Sequence, residues 1–167
     1  FQYHYEREYI QRNPMLLVKL PKLKKDKNIV RMNNYEVQAI LEAVEHGYEG
    51  MSKRQKACCE KTKKRDLAIL TLMLNTGIRV SECRGLDLSD VDFVVNSLTI
   101  VRKGGGQDVI YFGDDVAKAL SDYVNTERAL MRPAQEDDNA LFYSLQGKRI
   151  SVDAIERLVR KYAKMSV

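Results

Sequence analysis

The stretch Thr76-Gly77-Ile78-Arg79-Val80-Ser81-Glu82 sets a guanidinium and a carboxylate three positions apart, just beyond a glycine. An apolar run, Leu67 to Leu74, precedes it and reads as a buried helix. Gly77 falls where a helix C-terminus wants a left-handed residue. A second short helix, Arg79 to Gly85, is expected to follow, with Arg79 in its first turn. Helix dipoles favour negative charge at that end, so an arginine there is unusual. The dipole, the free N–H groups and the guanidinium together suit an anion such as phosphate. The alternative is a surface arginine after a helix turn, and spacing alone leaves both open.

A second candidate is Lys103, at the base of Lys103-Gly104-Gly105-Gly106-Gln107-Asp108. This segment joins two β-branched and aromatic runs, Leu98–Arg102 and Val109–Phe112, in the pattern of a hairpin. Three glycines make a mobile loop, and a lysine at its base is either a soluble turn residue or a presented cation. The cysteines Cys58, Cys59 and Cys83 lack metal-ligand spacing and are odd in number, which reads as free thiols. His4 and His46 sit in no motif. No metal or cofactor is expected.

The elements that must position these residues follow from periodicity and caps. Asn33 or Asn34 caps a first helix, with Glu36 completing a capping box, and Val37, Ile40, Leu41 and Val44 share one face until Gly47. Residues 48–64 are polar and basic and read as a loop. The buried helix then spans Arg65–Asn75. After the hairpin, Asp114 or Asp115 caps a long helix carrying Val116, Leu120, Tyr123, Val124 and Leu130, ended by Pro133. Leu141–Tyr143 reads as a short strand. Ser151 caps a last helix with Ile155, Leu158, Val159 and Tyr162 on one face.

Charge is unevenly spread. Residues 1–65 hold 15 Lys/Arg against 8 Asp/Glu, and residues 66–167 hold 13 against 15, within a chain of net charge +5. A basic leading third is the layout of a protein that grips a polyanion, usually nucleic acid. Pro14 and Pro21, with the run Lys22 to Lys27, read as an extended strap whose lysines touch phosphates without reading bases. No apolar run approaches the roughly 18 residues of a membrane span, and no signal-peptide pattern opens the chain. A cytoplasmic protein is expected, and an opening without Met suggests a piece of a longer one.

Taken in order, these features resemble the catalytic domain of tyrosine recombinases, the integrases of phages and conjugative transposons and the Xer type. The resemblance rests on the linker, the capped Asn-x-x-Glu-Val helix, Thr76 to Glu82, then Gly85-Leu86 with Asp90 and Asp92, and Lys103-Gly104. It covers about residues 13–165. It implies a mainly α fold with a small antiparallel β-sheet, incomplete at its C-terminus. Residues 1–13 would be the tail of a preceding core-binding domain, 14–31 a basic linker, and 32–167 the first part of the catalytic domain.

The resemblance also implies roles. Arg79 would be the first of two catalytic arginines holding the scissile phosphate, Glu82 the acidic residue that buttresses it, and Lys103 the general acid for the leaving 5′-oxygen. The implied partner is duplex DNA, contacted by Lys19, Lys22, Lys24, Lys25, Arg31, Lys63, Lys64, Arg65 and Arg102. The full-length protein would work as a homo-tetramer on two duplexes, integrating or excising a mobile element in a bacterial cytoplasm.

Two departures stand out. Where the family often has Gly-x-Lys-x-Arg after the lysine, this chain has Gly104-Gly105-Gly106-Gln107-Asp108. The family's His-x-x-Arg segment, its later His or Trp and its nucleophilic Tyr would lie beyond Val167. Tyr111, Tyr123, Tyr143 and Tyr162 read instead as hairpin or helix-face core residues, and no nucleophile is assigned. Two other functions compete: a DNA-binding module without chemistry, and a helical interaction domain with a merely solvated basic face. Salt-dependent binding to duplex DNA separates the last from the others.

Overall fold

The computed structural model describes residues 1–18, 32–47, 51–102, 104–134 and 139–164. It falls into two compact units, Phe1–Arg31 and Met32–Val167. The first contains a short helix α1 (Gln2–Glu6) and a 3₁₀ turn at Pro14–Leu17. Asn13 Oδ1 caps that turn by accepting from the Met15 N–H at 3.0 Å, while its amide donates to Gln2 Oε1 at 2.8 Å. The expected extended linker therefore begins as a turn, and its remainder, 19–31, lies outside the described residues.

In the second unit, α2 (Asn34–His46) starts from the expected capping box. Asn33 Oδ1 accepts from the Glu36 N–H, and Glu36 Oε2 accepts from the Asn33 N–H, at 2.9 and 2.7 Å. Ile40 and Val44 carry its buried face. The stretch read as a loop holds a helix, α3 (Lys53–Glu60). Its composition offers no apolar stripe, and only the Ser52–Gln55 capping box announces it.

Helix α4 (Lys63–Thr76) is the centre of the core, with Ala68, Ile69 and Leu72 fully buried and Leu70 nearly so. It carries a buried carboxylate, Asp66, satisfied by the Thr62 hydroxyl, the Tyr162 hydroxyl and the Arg65 guanidinium. Gly77 ends the helix at φ 66° and ψ 19°, as expected. Helix α5 (Val80–Gly85) follows at once.

Strands β1 (Val91–Asp92), β2 (Ser97–Val101) and β3 (Gln107–Tyr111) form an antiparallel sheet in sequence order. Leu98 pairs with Ile110 and Ile100 with Asp108. Leu98 and Ile100, two apart and hence on one face, are buried. Tyr111 pairs with Ser97 on the other face and is 73% exposed, so it is no core residue, contrary to the sequence reading.

Helix α6 (Asp114–Tyr123) is led by Gly113, and neither Asp114 nor Asp115 caps it. It passes into a π-helical turn, Val124–Arg128, and Leu130 beyond is exposed. The wider turn accompanies two inward ties: Glu127 accepts from the Lys64 and Arg65 N–H groups, and Arg128 donates to the Ala140 carbonyl. Leu141–Tyr143 is buried but forms no strand. Tyr143 and the neighbouring Ala140 make only isolated bridges, with Arg149 and Asp87 respectively. Helix α7 (Val152–Ala163) is capped by Ser151 and buries Ile155, Leu158 and Tyr162.

Candidate active site

The turn between α4 and α5 is set by one local feature and one of packing. Gly77 takes a conformation that costs other residues about 1–2 kcal/mol, and Ile78 next to it is buried at 4% exposure. Arg79 is thereby held at the N-cap of α5, one position earlier than expected, with extended backbone. The anion that a helix N-terminus favours is supplied from within. Glu82, at the third helical position, turns back and accepts from the Arg79 N–H through Oε2 at 2.8 Å. Its Oε1 accepts from Arg79 Nη1, also at 2.8 Å.

The Glu82 side chain is only 4% exposed, whereas that of Arg79 is 63% exposed. A buried carboxylate thus holds an outward guanidinium by one nitrogen. Among the described residues, the remaining donors of the fork are uncommitted. The Arg79 N–H lowers the Glu82 pKa most. The Arg79 and Arg102 guanidiniums lower it further, against the opposing effect of burial. Glu82 is therefore a carboxylate at neutral pH. Cys83, beside it, is wholly buried, and burial pushes its thiol up to about 12, which leaves it an inert core residue.

Arg102 joins this pair from the sheet. It continues the inward series Leu98, Ile100, and donates from Nη1 to Glu82 Oε2 at 3.3 Å. Its Nε and Nη2 donate to Asp108 Oδ2 at 3.2 and 3.1 Å. Arg79, Glu82, Arg102 and Asp108 form one connected chain of alternating charge. Sequence reading placed Arg102 among free DNA contacts and gave Asp108 no role. The pairing joins residues 20 positions apart, and only the strand register reveals it.

Lys103, Lys19, Lys22, Lys24, Lys25 and Arg31 lie outside the described residues. Lys63 and Lys64 stand in the first turn of α4, with Lys64 exposed. Arg65 faces inward: its side chain is 12% exposed, pairs with Asp66 at 2.7 Å and donates to the Tyr143 carbonyl at 2.9 Å. It serves the core and does not present a charge outward, which departs from the sequence expectation. Among the described residues, no group of three or more His, Cys, Asp or Glu is arranged to hold a metal, and no helix is long and apolar enough to cross a membrane.

A profile of the phage integrase family matches residues 30–166. The chain is 33% identical to the tyrosine recombinase XerS of Streptococcus thermophilus over 167 aligned residues, covering 93% of this chain and 46% of that protein. It is 42% identical over 104 residues to XerC of Caldanaerobacter subterraneus subsp. tengcongensis, covering 61% of this chain and 28% of that one. Among solved structures, the XerA recombinase superposes with a TM-score of 0.65 at 24% identity, over 99% of this chain and 50% of that chain. The Tn1549 transposon integrase, in complex with circular intermediate DNA, gives 0.60 at 21%, over 98% and 54%. These two likenesses bear on the fold. The chain spans about half the length, or less, of the relatives it matches.

Proposed function

The chain belongs to the phage integrase family of tyrosine recombinases, and from that premise we propose that it cleaves and rejoins DNA as part of a longer protein, through a 3′-phosphotyrosine. The observation that carries this reading is the outward Arg79 guanidinium seated on the buried Glu82 carboxylate. In-line attack by a tyrosine oxygen gathers negative charge on the non-bridging phosphate oxygens. A preorganised fork stabilises that charge without reorganising in the transition state. Glu82 fixes the fork and keeps its charge paired until DNA arrives. Lys103 gives its proton to the 5′-oxygen as the P–O bond breaks, and the phosphate remains on the tyrosine.

In this reading the nucleophile and a second arginine come from a segment outside these 167 residues. Support comes from the half-length match to relatives; the burial of Tyr123, Tyr143 and Tyr162, each 1% exposed, removes those three alone. The 167 residues alone would then not cleave. Residues 1–13 belong to a preceding core-binding domain, and 14–31 form the linker. Duplex DNA is gripped through Lys19, Lys22, Lys24, Lys25, Arg31, Lys63 and Lys64. Arg65 and Arg102 leave this set, because their guanidiniums are engaged within the chain. The working form is a homo-tetramer on two duplexes, serving integration or excision of a mobile element.

The test is covalent adduct formation by the longer protein on a suicide duplex, with oxygen or sulfur at the 5′-bridging position. Arg79→Lys removes the fork but keeps the charge, and should slow adduct formation by about 10²–10³ on both substrates. Lys103→Ala should be slow on the oxygen substrate and restored on the sulfur one, whose leaving group needs no proton. Unimpaired adduct formation by Arg79→Lys would remove the Arg79 fork from the reaction, and no adduct from the parent protein would leave a DNA-binding module without chemistry.

A further inference from the structure

Arg102 makes three side-chain and two main-chain hydrogen bonds, four of them within its own hairpin and one to Glu82, 20 positions away. The side chain reaches Glu82 on α5 once and Asp108 on β3 twice. Its N–H donates to the Gly106 carbonyl at 2.7 Å, and its carbonyl accepts from the Gly105 N–H at 3.0 Å. One residue thus closes the glycine loop with its backbone and pins that loop to the Arg79 support with its side chain. An exposed Arg–Asp pair by itself is worth little. This one differs because its other end rests on a carboxylate that is 4% exposed and already holds Arg79. Nε, Nη1 and Nη2 each donate to a carboxylate within the chain, three of the five N–H groups, which is the pattern of a strut.

We propose that Arg102 is a positioning residue: it fixes the base of the glycine loop against the Glu82–Arg79 pair, so that the loop's proton donor and the arginine's phosphate meet in register. This rests on the reading of Lys103 as that donor. Gly104 and Gly105 have φ of 114° and 86°, conformations that glycine adopts readily and that no side chain of theirs helps to fix. The register must therefore come from outside the loop, and Arg102 supplies it. Lysine cannot replace it, since a point charge does not span two carboxylates in fixed geometry.

The experiment is single-turnover cleavage by the longer protein on the oxygen and 5′-bridging sulfur duplexes, with duplex affinity measured alongside. Arg102→Ala should lower the oxygen rate by about 10²-fold, the scale of an ångström-level misplacement, and cleave the sulfur duplex at close to the parent rate. Arg102→Lys should behave like Arg102→Ala. Asp108→Asn, at a 55%-exposed position where folding is not at stake, should show the same signature with a smaller loss.

Sulfur rescue of Lys103→Ala without rescue of Arg102→Ala and Asp108→Asn would overturn the positioning role alone. Failure to rescue Lys103→Ala would overturn the reading of Lys103, and the strut with it. A weaker affinity and shallower salt dependence for Arg102→Ala would make it a phosphate contact and overturn the proposal.

Discussion

Replacing Glu82 by Gln tests the buried carboxylate that supports Arg79. The native group accepts three hydrogen bonds, from Arg79 N, Arg79 Nη1 and Arg102 Nη1. An amide of the same shape has one acceptor oxygen. Placed at Oε2, it keeps the Arg79 N–H and Arg102 bonds in weaker form and turns its NH₂ against Arg79 Nη1. Placed at Oε1, it faces two donors with its own. The better orientation still loses one charge-assisted bond and weakens two. Bonds to charged groups contribute about 1.5–3 kcal/mol and neutral ones about 0.5–1.5, so the loss at neutral pH is about 2–3 kcal/mol, since water reaches the freed Arg79.

The pH dependence gives that number a signature. The Glu82 pKa is held below the ordinary glutamate value of about 4.3, first by the Arg79 N–H and then by the two guanidiniums. A depressed folded pKa adds stability that is fully present above the unfolded value and lost as pH falls through the folded one. Glutamine does not titrate. Urea unfolding of parent and Glu82→Gln should therefore differ near about pH 7 and converge as pH falls below about 4. A gap that stays constant across that range would refute the assignment of the loss to the ionised carboxylate.

Two other outcomes follow from the packing and the charge. Leu70→Ala, in the 4%-exposed core of α4, should lower unfolding free energy by about 2–5 kcal/mol in the same assay. The triple variant Lys22, Lys24 and Lys25→Ala should bind duplex DNA with a salt slope smaller by about 0.9 for each phosphate no longer neutralised, and an unchanged slope would move the grip elsewhere.

What was legible in the sequence was local. Gly77, Arg79 and Glu82 lie within six positions, and their geometry follows from a helix stop, a helix start and a capping reach. The helix caps at Asn33 and Ser151 were equally readable. Helix α3 was missed because its eight residues carry almost no apolar pattern, although Ser52-x-x-Gln55 was present to be read. Leu141–Tyr143 has the composition of a strand, but its buried side chains satisfy a loop held by Arg128 and by bridges to Asp87 and Arg149. The inward turns of Arg65 and Arg102 were beyond reach. Each depends on a partner, Tyr143 or Glu82, that only the folded chain brings near. Tyr111 misled because an aromatic in a hairpin suits either face, and pairing with Ser97 sent it outward.

Helix α4 is finished at its two ends by devices of different range. At its C-terminus Gly77 acts at once, within the same turn. At its N-terminus Thr62 makes no side-chain cap, and the Lys64 and Arg65 N–H groups wait for Glu127, more than sixty positions later. The end next to Arg79 is thus satisfied within its own turn, while the far end is satisfied by a residue of the π turn that follows α6. The terminal hydrogen bonding of this helix depends on a non-local partner at one end only. The turn that carries Arg79 is thus specified by residues next to it in sequence, and the opposite end of the same helix by a residue of another helix.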